Sequence, residues 1–435
     1  MKNIFKKIVV FILELEAKAI LKRYKPKIVA ITGSVGKTST KDAVYAVLSK
    51  FYFVRKSDKS FNSEIGLSLT ILGVQNGWND PIIWINNILN GLWFIIWKHK
   101  YPEWLVLEVG AGKPGDIKRV AKWMKADVVI ITRFGETPVH VEFFKSTDHL
   151  IEEKSSLIGS LKKDGVLILN ADDEAVIALK SKTKSKLATF SFGNDATISG
   201  SNCQVIYFSE KSKMNGPAGI SFKANFDGNS LPVIVEGALG VNHVYSALTA
   251  LVVAYELNLN MIMSINALRD YDLPPGRMRA LAGISGSVVI DDTYNASPIA
   301  TISALKALGE AKNALRRIAV LGDMLELGKF TESAHRNIGR ELINQCDILI
   351  TVGPRSRFIY DEALSSGMDQ GKIFHFKNSS DAGEFLKEMI QKGDTVLVKG
   401  SQGMRMERTV KDIMEHPEES LKLLARQEKE WLAKE

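Results

Sequence analysis

KIVAITGSVGKTST, residues 27–40, decides how this chain is read. Ile28–Thr32 is a short apolar run, Gly33 and Gly36 interrupt it, and a helical pattern starts at about Lys37. A strand that ends in a glycine turn and opens a helix is a setting that binds phosphate. Its backbone N–H groups approach the anion closely, and the helix N-terminus adds favourable potential. Gly33, Ser34, Val35, Gly36, Lys37, Thr38 and Ser39 are the candidate contacts. Lys37 is placed to reach the β- and γ-phosphates, and the Thr38 hydroxyl to bind Mg²⁺. The loop is shorter than the general G-x-x-x-x-G-K-[ST] form, so the setting carries the assignment more than the match does. The expected cofactor is ATP with Mg²⁺.

Outward from this turn the pattern is α/β. Trp104–Val109, Asp127–Thr132 and Gly165–Leu169 are further strand candidates separated by helical segments, which predicts a parallel sheet. Residues 186–236 hold four short strands broken by Gly, Asn, Asp and Ser, which predicts an antiparallel excursion. Helices follow over Val241–Leu257 and Met261–Leu268. After Pro274-Pro275-Gly276 a fresh alternation begins, with strands at Ser287–Ile290, Ile318–Leu321, Ile348–Val352, Ile373–Phe376 and Thr395–Val398. The predicted fold is a P-loop central ATPase domain with a parallel sheet (27–274) plus a Rossmann-like C-terminal domain (275–435). The last residues, 418–435, read as a charged helical tail.

The 435 residues suit two or three domains, and 24% charged with 45% hydrophobic residues describes a folded chain. Two distant cysteines, Cys203 and Cys346, exclude a disulfide framework or a cysteine zinc site and fit a reducing cytoplasm. The net charge of +8 comes from scattered residues without a nucleic-acid signature, so a nucleotide and an anionic substrate are the expected partners.

Two apolar stretches stand apart. In residues 1–26, Phe5, Ile8, Ile12, Leu15 and Ala19 recur at helical spacing, which predicts an amphipathic helix docked through that stripe or lying on a membrane surface. Residues 78–104 hold five of the seven tryptophans, interrupted by Asn86, Asn87 and Asn90. The segment reads as a helical hairpin packed on a partner or on the first helix, or as one facing a bilayer interface.

Beyond the glycine turn, Glu108 ends an apolar strand beside Gly110 and Gly112. There a second hard oxygen ligand could join Thr38 on Mg²⁺. Taken together, ITGSVGKTSTKD (31–42), FNSEIGLSLTIL (61–72), LEVGAGKPGDI (107–117), VLILNADDE (166–174), PPGRMRAL (274–281), VIDDTYNASP (289–298), RIAVLGDMLELG (317–328) and VLVKGSQGMRMERTV (396–410) resemble the Mur ligase family, and within it the D-alanyl-D-alanine-adding branch. These segments span nearly the whole chain in family order.

The resemblance implies an ADP-forming amide ligase of peptidoglycan precursor synthesis. ATP phosphorylates the carboxylate of a UDP-muramoyl peptide, and D-Ala-D-Ala or another amine attacks the acyl phosphate. It implies two Mg²⁺ ions, held by Thr38, Glu108, His140 and Lys154, with Lys154 carbamylated. It makes Lys37, Lys154, His140 and Arg277 catalytic, and adds Asn242, Arg277 and Asp292 to the nucleotide contacts. Asn62 falls on the carboxylate substrate, and Tyr294, Asn295, Lys399 and Ser401 on the amine side.

Departures from the branch are Asn242-His243 in inverted order, Ser246 and Ser297 where Asn is expected, and Arg133 in the metal-side motif. Only 26 residues precede the first strand, where the branch carries a domain gripping the uridine nucleotide. An altered or lipid-linked acceptor is therefore a further expectation, and so is a peripheral position at the inner membrane face. A non-catalytic nucleotide-binding scaffold is the rival outside the enzyme class.

Overall fold

The structure is a computed structural model and describes residues 3–58, 61–134, 146–209 and 216–432. The chain opens with α1 (Asn3–Tyr24), β1 (Lys27–Thr32), α2 (Lys37–Leu48), β2 (Val54–Lys56), α3 (Glu64–Leu72), α4 (Pro81–Ile96) and β3 (Trp104–Glu108). Next come α5 (Asp116–Trp123), β4 (Ala126–Ile131), α6 (Thr147–Ser155), β5 (Leu161–Asn170), α7 (Glu174–Ile177) and β6 (Lys186–Phe192). Strands β7 (Ile198–Tyr207), β8 (Pro217–Phe226) and β9 (Asn229–Glu236) lead to α8 (Val241–Glu256) and α9 (Met261–Ala267). All nine strands form one sheet in the order β2-β3-β1-β4-β5-β6-β7-β8-β9.

A second sheet, β10-β11-β15-β12-β13-β14, is built from β10 (Arg279–Ala282), β11 (Val288–Asp292), β12 (Arg316–Gly322), β13 (Ile348–Val352), β14 (Ile373–Phe376) and β15 (Asp394–Lys399). Its helices are α10 (Pro298–Gly309), α11 (Thr331–Glu341), α12 (Arg357–Ser365), α13 (Ser379–Met389) and α14 (Glu407–Ile413). Two short turns of helix, α15 (Ser420–Leu423) and α16 (Lys429–Leu432), follow. This is the expected α/β architecture with parallel sheets.

Strand β1 is central because both its faces are covered. Val29 and Ile31 share one core with α2 and α8, while Ile28 and Ala30 share another with α1, α3 and α5. A strand apolar on every residue is the mark of a doubly covered parallel sheet. From β1 the chain departs to β2 and β3 on one side and to β4 on the other, so a crevice opens at its carboxyl end. The second sheet has its own core around Val289, Ile318 and Val396. Ala304 and Leu305 of α10 join the first core against α8, which makes the two sheets' layers continuous.

Several expectations need correction. In α1 the buried residues are Val9, Leu13, Glu16, Ala17 and Ile20, whereas Ile8 (51%) and Leu15 (48%) of the predicted stripe are exposed. Apolar residues lie on both faces of this helix, and spacing alone does not say which face finds a neighbour. Residues 186–236 are antiparallel only from β7 to β9, because β6 pairs in parallel with both β5 and β7. The tail is not one helix. Between α15 and α16, Leu424–Gln427 are buried. The tryptophan-rich segment is the single helix α4 packed along α1, and Trp104 belongs to β3 instead. Strands β2 and β10, of three and four residues, were too short to read from periodicity.

Candidate active site

The glycine turn sits at the carboxyl end of β1. Gly33 takes φ +146°, and a Cβ there would lie 2.0 Å from Thr132 Oγ1, so no side chain fits. Gly36 adopts the left-handed conformation (φ 85°) as N-cap of α2. The turn is pinned by Ser34 N–H donating to Arg133 O at 2.6 Å and by the Thr132 hydroxyl donating to Val35 O at 2.7 Å. Arg133, a departure from the family pattern, thus contributes its carbonyl. Ser39, in the first turn of α2, is buried beneath the glycine turn.

Glu108 arrives from the end of β3. Its Oε2 accepts from Thr38 Oγ1 at 2.9 Å and its Oε1 from Asn62 Nδ2 at 3.2 Å. A hydroxyl, a carboxylate and a side-chain amide therefore meet beside the turn, and their oxygens are hard donors of the kind Mg²⁺ takes. Among the described residues no group of three or more His, Cys, Asp or Glu is placed to hold a metal. His140 lies outside the described residues.

Three basic side chains, Lys37, Lys154 and Arg277, lie around this oxygen cluster. Lys37 Nζ donates to Ser34 O at 3.3 Å, and Lys154 Nζ, reaching in from α6, donates to Ser34 Oγ at 2.8 Å. Burial lowers the pKa of Lys37, opposed by Glu108 and aided by Arg277. Burial lowers that of Lys154 much further, and the nearby Lys37 adds to the fall. Buried Lys154 thus tends towards the neutral amine, the form able to add CO₂. Lys37 and Arg277, beside Glu108, make the crevice attractive to a polyphosphate.

A cleft beside the turn is lined by Val35, Thr132, Asn170, Phe190, Asn242 and Tyr245. Asn242 opens α8 here and also approaches Ser303 of α10. Its neighbour His243 makes the contact that sequence reasoning missed. Its Nε2 meets the Arg277 carbonyl at 2.7 Å, and burial pushes its pKa down to about 4, so the ring is neutral.

Arg277 lies between the sheets, its guanidinium 4.1 Å from the centre of the Tyr294 ring. Asp292 ends β11 and holds the Lys399 ammonium at 2.6 Å, while Lys399 also donates to Asn295 O at 3.0 Å. Ser401 Oγ accepts from Leu325 N at 2.8 Å. Tyr294, Asn295, Lys399 and Ser401 are thereby gathered at the carboxyl ends of β11 and β15. Ser297 caps α10 by accepting from Ala300 N, a task Ser and Asn perform equally.

Two further contributors were not visible in the sequence. Glu153 accepts from Ile117 N (2.7 Å) and Gly115 N (2.9 Å) at the start of α5, which ties the helix carrying Lys154 to the loop after Glu108. Arg426, from the tail, donates to Thr293 O and Tyr294 O and pairs with buried Glu407.

The fold and site define a nucleotide-binding α/β protein whose phosphate turn faces a second domain across a cationic crevice. The Mur ligase middle domain model matches residues 31–254, and the Mur ligase glutamate ligase domain model matches residues 276–402. The chain belongs to the Mur ligase family.

It is 29% identical over 402 residues to the UDP-N-acetylmuramoyl-tripeptide–D-alanyl-D-alanine ligase of Bacillus subtilis, covering 92% of this chain and 79% of the relative. The ligase of the same name from Mycobacterium tuberculosis is 29% identical, covering 86% of this chain and 70% of the relative. The crystal structure of MurF from Acinetobacter baumannii superposes with a TM-score of 0.74 at 24% identity, covering 93% of this chain and 80% of that one. MurF from Thermotoga maritima in complex with ADP gives 0.73 at 24% identity, with 93% and 83% covered.

Proposed function

We propose that this chain is an ATP-dependent, ADP-forming ligase of peptidoglycan precursor synthesis. It would join the carboxylate of a UDP-muramoyl tripeptide to D-Ala-D-Ala. The observation that carries this reading is the meeting of Thr38, Glu108 and Asn62 beside the glycine turn, with Lys37, Lys154 and Arg277 around them. That set suits phosphoryl transfer, which needs placement and charge neutralisation rather than covalent help from the protein.

Lys37 and the turn's N–H groups hold the β- and γ-phosphates, and Thr38 and Glu108 present oxygens to Mg²⁺. Mg²⁺, when bound there, would supply charge neutralisation. Asn62 orients the substrate carboxylate. One carboxylate oxygen bonds to the γ-phosphorus as the bond to the bridging oxygen breaks, releasing ADP. The amine nitrogen then bonds to the acyl carbon, phosphate leaves with the C–O bond pair, and the nitrogen loses a proton.

Arg277 offsets the negative charge from the domain interface, and Tyr294, Asn295, Lys399 and Ser401 line the side from which the amine arrives. Asn242 faces the base, and Asp292, beside Arg277, faces the ribose. The depressed basicity of Lys154 supports its carbamylation, which would turn a buried cation into an anionic ligand for a second Mg²⁺ together with His140. The domains divide at about residue 274. The reading places the chain in the cytoplasm, peripherally at the inner membrane face. The exposed apolar residues of α4 favour, as a second reading, an acceptor carried on a lipid.

Phosphate release by the purified protein tests the reading. With ATP, Mg²⁺ and UDP-muramoyl tripeptide, release should require D-Ala-D-Ala and should vanish in Lys37→Ala. Release dependent on a different acceptor would move the assignment to that acceptor. Full biological activity of Lys37→Ala would support the non-catalytic scaffold.

A further inference from the structure

α4 has no charged residue in sixteen, yet most of it faces outward. Ile82, Ile85, Leu89, Trp93 and Ile96, spaced three or four apart, are 66%, 52%, 57%, 50% and 59% exposed. A helix stripe of that spacing ordinarily packs on a core. Here the core-facing residues are Trp84, Asn87 and Gly91 instead. α1, packed alongside, adds Ile8, Phe11 and Leu15 at the same spacing, all exposed. Its acids do not interrupt this surface, since Glu14 is paired with Lys18 and Glu16 is buried. Two adjoining helices thus each present an exposed apolar stripe, that of α4 flanked by exposed Asn86 and Asn90, of a kind monomers seldom leave bare.

Among the described side chains, exposed cations outside salt bridges gather at the carboxyl end of the two helices. Arg23 approaches Ile96 O and the Tyr24 hydroxyl approaches Phe94 O and Trp97 O, so the carboxyl ends of the two helices lie together. Lys22, Arg23, Lys25, Lys98 and Lys100 are exposed at that end, and none forms a salt bridge among the described residues. Next to them Trp93 and Trp97 pack ring on ring, 4.1 Å between centres. Apolar stripes, then tryptophans, then cations outside salt bridges is the order met on passing from acyl chains through the interface to head groups. Among the described residues no helix is long and apolar enough to cross a membrane.

We propose that α1 and α4 form a monotopic docking surface for an anionic lipid bilayer. The apolar stripes of both helices enter the acyl boundary, and the basic end binds lipid phosphates. This deepens the peripheral placement proposed above and uses none of the nucleotide-site residues. Soluble phosphate release therefore fails only with the ligase reading, and vesicle binding only with this one.

The test is flotation of the full chain with vesicles of phosphatidylcholine alone or doped with phosphatidylglycerol. Binding should be at least about tenfold stronger to the anionic vesicles and should weaken with salt. Leu89→Ser/Trp93→Ser should lower binding to both kinds about tenfold or more, with phosphate release and melting temperature unchanged. Lys98→Glu/Lys100→Glu should remove the preference for phosphatidylglycerol and spare the weak binding to phosphatidylcholine. Absence of vesicle binding overturns the proposal. So does a concentration-dependent dimer that the Leu89/Trp93 variant abolishes, since the face would then cover a second copy.

Discussion

Gly33 and Glu108 are the residues at which the site is most sharply constrained. At Gly33 both the positive φ and the 2.0 Å approach of Thr132 Oγ1 bar a side chain. Gly33→Ala should therefore cost about 2–3 kcal/mol of stability and weaken nucleotide binding at least about tenfold, read by thermal denaturation and calorimetry. At Glu108 the carboxylate accepts from both Thr38 and Asn62, and Gln would retain the shape but not the charge. Glu108→Gln should lower kcat/KM about a hundredfold while raising the Mg²⁺ concentration needed for half activity. The glycine turn and Glu108 were legible in the sequence because their spacing after apolar strands reports the local backbone. The pairing of Lys154 with Ser34 was not, since 120 residues separate them and only the packing of α6 brings them together.

Among the elements, α5 and α1 depend on carboxylates in unusual settings. Glu153 accepts from the Gly115, Ile117 and Lys118 N–H groups at the start of α5 from its place on α6. Glu153→Ala leaves the buried Ile117 N–H unpaired, which should cost about 1–2 kcal/mol, seen as a lower melting temperature. The same change should reduce kcat through the loosened neighbour Lys154 while leaving nucleotide affinity nearly intact.

Glu16 is buried in the α1–α4 packing without a hydrogen-bond partner, and burial pushes its pKa up from 4.5 to about 7. The folded chain holds this proton more tightly than the unfolded chain does. Stability should therefore fall as pH rises from about 4.5 to 7, and Glu16→Gln should gain on the order of 2–3 kcal/mol at pH 8. Equal slopes of denaturation midpoint against pH for the variant and its parent would contradict this. The docking of α1 was misread because its sequence is apolar on two faces, and a buried Glu is not a signal that periodicity carries.

At the level of the whole molecule, the two sheets meet through His243, Arg277 and the tail. His243 is neutral in the fold, with a pKa near 4 against 6.5 unfolded. Between those values the unfolded chain binds the extra proton, so acidification from pH 6.5 to 4 should remove on the order of 3 kcal/mol. His243→Asn should flatten that part of the pH–stability curve. Arg426 compensates buried Glu407 and donates to two carbonyls beside Arg277. Arg426→Ala should cost about 2–3 kcal/mol by removing two carbonyls' donor and one of the two arginines on that carboxylate, which keeps Arg405 at 2.6 Å, and chemical denaturation followed by tryptophan fluorescence should report it.

Taken alone, the sequence determined the glycine turn between strand and helix, the parallel α/β alternation and the family, because each is written in contiguous residues. Only the tertiary structure decided which face of α1 is buried, that β6 continues the parallel sheet, and that the tail folds back on Tyr294. It also decided that Lys37, Lys154 and Arg277 share one crevice. These depend on which of several physically equivalent surfaces finds a partner and on the loss of water where they meet. Neither is a property of any one stretch of chain.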